Sequence, residues 1–149
     1  MIRFISMKYI SKNQEETKEI ARKLASQSTG GEVLCLYGDL GAGKTVFASG
    51  VIQYFLPQKR VLSPTFIIVR HYQLNDSAVK NIYHLDLFRI KKETEIVELG
   101  LNDLINSDSL VLIEWAEKLG KLTLQKRINI EIGMIDSHKR SIKIHPWKN

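Results

Sequence analysis

Val33-Leu34-Cys35-Leu36-Tyr37 runs straight into Gly38-Asp39-Leu40-Gly41-Ala42-Gly43-Lys44-Thr45, and a helix-like pattern follows to Phe55. The second stretch fills every fixed position of G-x-x-x-x-G-K-[ST], the spacing that cradles a polyphosphate. The apolar run before it reads as a buried strand, so strand, glycine-rich turn and helix appear in the order the motif requires. A polyphosphate needs several donors converging on it with no side chains in the way. Gly38, Gly41 and Gly43 free the backbone to supply them, and Asp39, Leu40 and Ala42 contribute their amides to the same nest. The helix that begins at Lys44 adds unpaired N–H groups and a positive dipole end, while the Lys44 ammonium serves the outer phosphates. The Thr45 hydroxyl suits Mg2+, which prefers octahedral oxygen coordination and keeps several waters. A plain strand-to-helix turn accounts for one or two glycines but not for Lys-Thr after them. The segment predicts nucleotide binding.

The chain has 149 residues, which fits one domain over 1–149 with a real core. That length is too short for a phosphate-binding core plus a separate catalytic domain, so a large substrate is expected to arrive with a partner. The opening residues lack a signal-peptide pattern and no apolar run approaches bilayer length, which makes a cytoplasmic location the expectation. The single cysteine, Cys35, has no internal disulfide partner and sits in the apolar run, where an inert buried thiol is expected. Net charge is +6, but the basic residues are scattered and not interleaved with stacking aromatics, so direct RNA binding is not expected. His71, His84, His138 and His145 show no metal-ligand spacing with Cys35, and no zinc site is expected.

Along the chain, residues 1–9 suggest an edge strand, and Ser11 with Gln14 suggests a capping box opening a helix. Thr17, Ile20, Ala21, Leu24 and Ala25 share one face of that helix, which ends near Thr29-Gly30-Gly31. Residues 66–74 and 80–87 are rich in β-branched and aromatic residues on either side of Asn75-Asp76-Ser77, an antiparallel pair about a turn. Residues 93–99 read as a helix ended by Gly100, and 110–113 as a short buried strand. Residues 127–132 and 140–144 alternate apolar and polar and predict a second hairpin. The expected class is α/β: a three-layer, P-loop NTPase-like fold with a mixed parallel and antiparallel central sheet. The nucleotide is expected at the carboxyl ends of the central strands.

Mg2+ at such a site calls for acids carried by neighbouring strands. Leu110-Val111-Leu112-Ile113-Glu114 ends an apolar strand in an acid, as does Ile82-Tyr83-His84-Leu85-Asp86. One would serve the metal and its water and the other would orient the attacking water; the sequence leaves the division open. Ser63-Pro64-Thr65-Phe66 follows the P-loop helix at the distance where switch loops carry a hydroxyl, and Pro64 holds the turn extended. Trp115 directly follows Glu114, which places its ring beside the site. Arg89 suits either stabilisation of a transferred phosphate or an ion pair with Glu93 or Glu98, and the ion pair is the favoured reading.

Taken together, the P-loop, Ser63-Pro64-Thr65-Phe66, Tyr83-His84-Leu85-Asp86-Leu87-Phe88-Arg89, Glu98-Leu99-Gly100 and Ile113-Glu114-Trp115 resemble the bacterial TsaE family, formerly YjeE. The resemblance covers most of the chain. It implies a small Mg-dependent ATPase, slow alone, that acts with the TsaD and TsaB proteins in making threonylcarbamoyladenosine in transfer RNA; an indirect contact with transfer RNA is compatible with this, and the sequence leaves open whether transfer RNA touches this chain. It also implies that Thr45 and Glu114 serve Mg2+, that Asp86 and Thr65 lie on the hydrolytic side, and that Trp115 and Thr17 approach ATP. Phe66 and Phe88 stand where the family commonly has Tyr, so a phenol hydrogen bond is not essential here. Two other classes share a P-loop. A small-molecule P-loop kinase calls for an acceptor pocket and an Arg-rich lid, and no such insertion is apparent. A nucleotide-dependent binding module would make hydrolysis incidental. A GTPase is not expected, since no N-K-x-D segment follows the P-loop.

Overall fold

The central strands of the sheet explain where everything else lies. In β2 (Val33–Tyr37) the first four residues are buried, and in β5 (Ser109–Glu114) all six are. A strand with no solvent face needs cover on both sides, and its side chains alternate between the two covers. Leu34, Leu36, Leu110 and Leu112 join one apolar cluster with Ala21, Leu24, Phe47 and Val51, whereas Val33, Cys35, Val111 and Ile113 join another with Ile96, Leu101 and Leu119. The result is three layers. One cover is α1 (Gln14–Ala25) with α2 (Lys44–Phe55); the other is α3 (Glu93–Glu98), α4 (Leu101–Leu104) and a 3-10 turn over Ala116–Leu119.

The computed structural model describes residues 5–122 and 124–146. Within them β1 (Met7–Ser11), β3 (Val69–Gln73), β4 (Asn81–Asp86), β6 (Arg127–Met134) and β7 (Arg140–Pro146) complete a sheet in the order β1-β7-β6-β2-β5-β4-β3. Strand β2 pairs in parallel with β5 and β6, and β5 with β4. The antiparallel pairs β3–β4, β6–β7 and β1–β7 extend this core to both edges. The mixed α/β class and both expected hairpins are therefore present. Cys35 is fully buried, and burial pushes its thiol up to about 12, consistent with an inert core residue.

Local expectations needed correction in five places. The first strand spans Met7–Ser11, not residues 1–9, and residues 1–4 lie outside the described ones. Helix α1 is capped by Asn13, whose Oδ1 accepts the Glu16 amide at 2.9 Å; Ser11 belongs to β1, and its hydroxyl meets the Thr17 hydroxyl at 2.6 Å. Strand β3 begins at Val69, because residues 64–68 close a turn in which the amides of Ile67 and Ile68 both bond to the Pro64 carbonyl. Ile68 sits at φ 70°, a left-handed conformation that a β-branched side chain rarely adopts. Helix α4 and the 3-10 turn were not anticipated. Arg89 makes no ion pair with Glu93 or Glu98 among the described residues; its guanidinium lies over the Phe66 ring, 4.5 Å from the centroid.

Candidate functional site

The P-loop joins β2 to α2 at the carboxyl end of the sheet. Gly41 and Gly43 adopt φ 80° and 110°, and a Cβ built on either meets nothing within 4 Å, so these glycines keep a left-handed path and leave a concave face clear. Gly38 is needed for space instead: a Cβ there would stand 2.5 Å from the Ile132 carbonyl oxygen. Lys44 is buried and donates from Nζ to the carbonyls of Gly38 and Asp39, with its ammonium 3.9 Å from the centre of the Trp115 ring. Burial lowers the Lys44 pKa, and Glu114, Glu117, Asp86 and Asp39 oppose the shift without cancelling it.

Parallel pairing sets the two carboxylates side by side. Asp86 and Glu114 are direct partners in the β4–β5 register, and Glu114 is opposite Leu36 in β2, two residues before the P-loop. Glu114 is buried; Oε1 accepts the Thr45 hydroxyl at 2.7 Å, and Oε2 meets His84 Nε2 at 2.6 Å. Asp86 is equally engaged. Its Oδ2 accepts the hydroxyls of Thr65 at 2.8 Å and Ser63 at 3.1 Å, and Oδ1 accepts the Phe88 amide at 2.9 Å. The two carboxylates thus have different partners: Glu114 the P-loop hydroxyl, and Asp86 the loop at 63–65.

Trp115 follows Glu114 at φ 58°, ψ 45°, a left-handed conformation costing about 1–3 kcal/mol for a residue with a side chain. That conformation turns the chain into the 3-10 segment and lays the indole against Phe88, ring centres 5.1 Å apart, as well as beside Lys44. Trp115, expected beside the site from its place after Glu114, lines the cleft.

The cleft encloses about 630 Å³, within the usual size range of a ligand site. Leu40, Gly41, Ala42, Gly43, Lys44 and Thr45 line it, facing Thr65, Asp86, Glu114 and Trp115. Thr17 reaches it from α1, although its hydroxyl is occupied by Ser11. Gly38 and Asp39 lie behind the lining and act on it through the carbonyls that hold Lys44.

Two contributors were missed. Arg140, at the start of β7, donates from Nε to the Ala42 carbonyl at 2.8 Å and from Nη2 to the Gly41 carbonyl at 3.4 Å. Its Nη1 holds the carbonyls of Asp136 and Lys139 in the β6–β7 turn. No sequence signal links residues so far apart. His84, by contrast, was visible: in alternating β4 it shares a face with Asp86, two residues on.

The donors available to a cation are hard oxygens: the Thr45 hydroxyl and the carboxylates of Glu114 and Asp86. No cluster of three or more His, Cys, Asp or Glu able to hold a metal occurs among the described residues. That chemistry fits Mg2+, which is commonly held through phosphates and waters with few protein ligands.

A family model described as "Threonylcarbamoyl adenosine biosynthesis protein TsaE" matches residues 11–142. The tRNA threonylcarbamoyladenosine biosynthesis protein TsaE of Rickettsia felis is 38% identical over 136 residues, 91% of this chain and 77% of that protein. Its namesake from Bacillus subtilis is also 38% identical over 136 residues, covering 91% and 83%. Among solved structures, that of Bacillus subtilis YdiB superposes with a TM-score of 0.76 at 32% identity, covering 94% of this chain and 84% of the other. The family match spans the P-loop, the 63–65 loop and both acid-ending strands alike, and the chain belongs to the TsaE family.

Proposed function

We propose that the chain is the Mg-dependent ATPase of threonylcarbamoyladenosine biosynthesis, acting in the cytoplasm with the TsaD and TsaB proteins. Family membership carries the biosynthetic role. The ATPase reading rests chiefly on one observation: the P-loop hydroxyl of Thr45 and the buried carboxylate of Glu114 are hydrogen-bonded at the foot of an open glycine cradle. In this reading Leu40, Gly41, Ala42, Gly43 and Lys44 bind the ATP phosphates, Gly38 and Asp39 support them from behind through the carbonyls that hold Lys44, and Thr17 and Trp115 border the nucleotide. Thr45, backed by Glu114, would hold Mg2+, which when bound supplies charge neutralisation to the β- and γ-phosphates.

Each protein group then has a defined task. Glu114 accepts a hydrogen bond from the Thr45 hydroxyl, which leaves the hydroxyl oxygen's lone pairs for the metal. Lys44 exchanges its two carbonyl partners for phosphate oxygens, a short move for a flexible side chain. Asp86 anchors Thr65 and Ser63 beside the reacting end and is the group placed to orient an attacking water. Hydrolysis would be read out as a change in the 63–65 loop, and energy would be delivered to the partners as conformation.

The test is ATP turnover measured while TsaB and TsaD are titrated in, with Lys44→Ala as control. Turnover is expected to be slow alone, strongly stimulated by the pair, and lost in the variant. Unchanged turnover in Lys44→Ala, or no nucleotide binding by the wild type with Mg2+, would overturn the assignment.

A further inference from the structure

His84 is fully buried in β4, on the sheet face covered by α1 and α2, between Ile82 and Asp86 of the same alternation. Its Nε2 meets Glu114 Oε2 at 2.6 Å, and its Nδ1 has no hydrogen-bond partner among the described residues. An ionised carboxylate only accepts, so Nε2 carries the proton in this bond. A histidine kept in an apolar layer with one nitrogen unpaired is a poor choice for packing alone, because a leucine would fill the space without an orphaned polar atom. What the imidazole adds is a fixed donor aimed at one oxygen of Glu114.

That oxygen matters because Glu114 divides its two acceptors. Oε2 goes to His84 and Oε1 to the Thr45 hydroxyl at 2.7 Å. Without the His84 donor, Glu114 can rotate its carboxylate and pull away from Thr45, and the hydroxyl is then free to turn its proton toward the cleft. We propose that His84 is a positioning residue, clamping Glu114 through Oε2 so that Oε1 holds the Thr45 hydroxyl with its lone pairs left for Mg2+. This rests on the Mg-ATP reading above and deepens it by assigning the group that acts behind the carboxylate. Groups behind a metal-side ligand typically change metal affinity by about 10- to 100-fold when removed.

The experiment measures affinity for a non-hydrolysable ATP analogue by calorimetry, in EDTA and in saturating Mg2+, and takes the ratio as the metal-dependent gain. The set is wild type, His84→Leu, His84→Gln and His84→Asn, with melting temperatures recorded for each. His84→Leu is expected to bind in EDTA like the wild type and to lose about 10-fold or more of the gain. His84→Gln, whose amide nitrogen reaches the position of Nε2, is expected to retain most of it. His84→Asn, whose amide stops near the position of Nδ1, is expected to lose it. A purely structural role would lower the melting temperature and leave the ratio alone.

Wild-type gain in a folded His84→Leu refutes the proposal. If that variant does not fold, equal gains in the Gln and Asn variants refute it. A wild type with no metal-dependent gain refutes the Mg-ATP reading itself and the proposal with it, a failure visible before any variant is made.

Discussion

Gly50 in α2 offers a test of how tightly the helical layer fixes the cleft. A Cβ at this position would stand 2.7 Å from the Ala21 Cβ, 2.7 Å from the Lys18 carbonyl oxygen and 2.8 Å from the Lys18 Cα. Ordinary contact begins near 3.4 Å, so α1 and α2 must separate by about 0.7 Å to admit a methyl group. Two of the three obstacles are backbone atoms, which cannot rotate aside. Alanine gains about 1 kcal/mol over glycine in a helix interior, and overpacking of a core costs about 1–3 kcal/mol. With backbone in the way, the upper half of that range applies and Gly50→Ala is expected to destabilise by about 1–2 kcal/mol. For a chain of this size that lowers the melting temperature by roughly 2–8 °C, measurable by far-ultraviolet circular dichroism. A variant melting at or above the wild-type temperature would refute the reasoning, because helix propensity would then outweigh the contact. The displacement also reaches the site, since Thr17 lines the cleft one residue before Lys18.

Three further outcomes are expected. Glu114→Gln keeps an acceptor for His84 but presents NH2 to Thr45; nucleotide binding in EDTA should be preserved while turnover falls about 10- to 150-fold, the equivalent of one charge-assisted hydrogen bond. Equal turnover would reject the role given to the carboxylate. Arg140→Met removes the ties from the β6–β7 turn to the carbonyls of Ala42 and Gly41, and the P-loop should then exchange its amide hydrogens faster while distant strands do not; unchanged exchange at residues 41–43 would show that the clamp is idle. Glu32 gives the pH dependence: burial by itself raises its carboxyl, but the Ser28 hydroxyl and the amides of Thr29, Glu32 and Gly30 more than reverse this and lower it. A lowered carboxylate contributes stability that is present above its unfolded pKa and lost as pH falls through the folded value, so wild type should lose more stability than Glu32→Gln below about pH 4.5. Parallel acid titrations of the two would contradict that.

The parts of this site that were legible in sequence are those whose chemistry is local. A P-loop announces itself because strand, nest and helix are contiguous, and Asp86 and Glu114 stand out because each ends a run of buried residues at the edge of a parallel strand. The hairpins follow from alternation at period two. What failed is what depends on competition between elements. Ser11 and Asn13 are both good caps, and the sheet decides between them by drafting Ser11 into β1, where it pairs with Arg140. Residues 66–68 carry strand-like side chains, yet the Pro64 carbonyl captures two amides and Ile68 is forced to a positive φ before β3 can begin. Arg89 prefers an aromatic face supplied by that same turn, and Phe66 is otherwise 80% exposed. The clamp from Arg140 depends on β7 lying beside β6 and β6 beside β2, which no window along the chain contains.

The same turn bears on the proposed switch role of the 63–65 loop. Its ordered form is held by two hydroxyl bonds to the Asp86 carboxylate, together about 3–6 kcal/mol for bonds to a charged group. Against them stand the left-handed Ile68, about 1–3 kcal/mol, and the ordering of the backbone at Ser63 and Thr65, about 1–2 kcal/mol each. The ordered form has further support: the Ser63 and Thr65 hydroxyls meet at 2.7 Å, the amides of Ile67 and Ile68 hold the Pro64 carbonyl, and the Asp86 amide bonds to the Ile68 carbonyl. A two-state element moves from 1:99 to 99:1 only when a ligand prefers one state by about 5.5 kcal/mol, which sets what a nucleotide would have to supply in the proposed reading. If the proposed ATPase reading holds, Asp86 is better placed than Glu114 to couple hydrolysis to the 63–65 loop: Glu114 is clamped from both sides by β4 and the P-loop, whereas every side-chain donor on Asp86 comes from that loop.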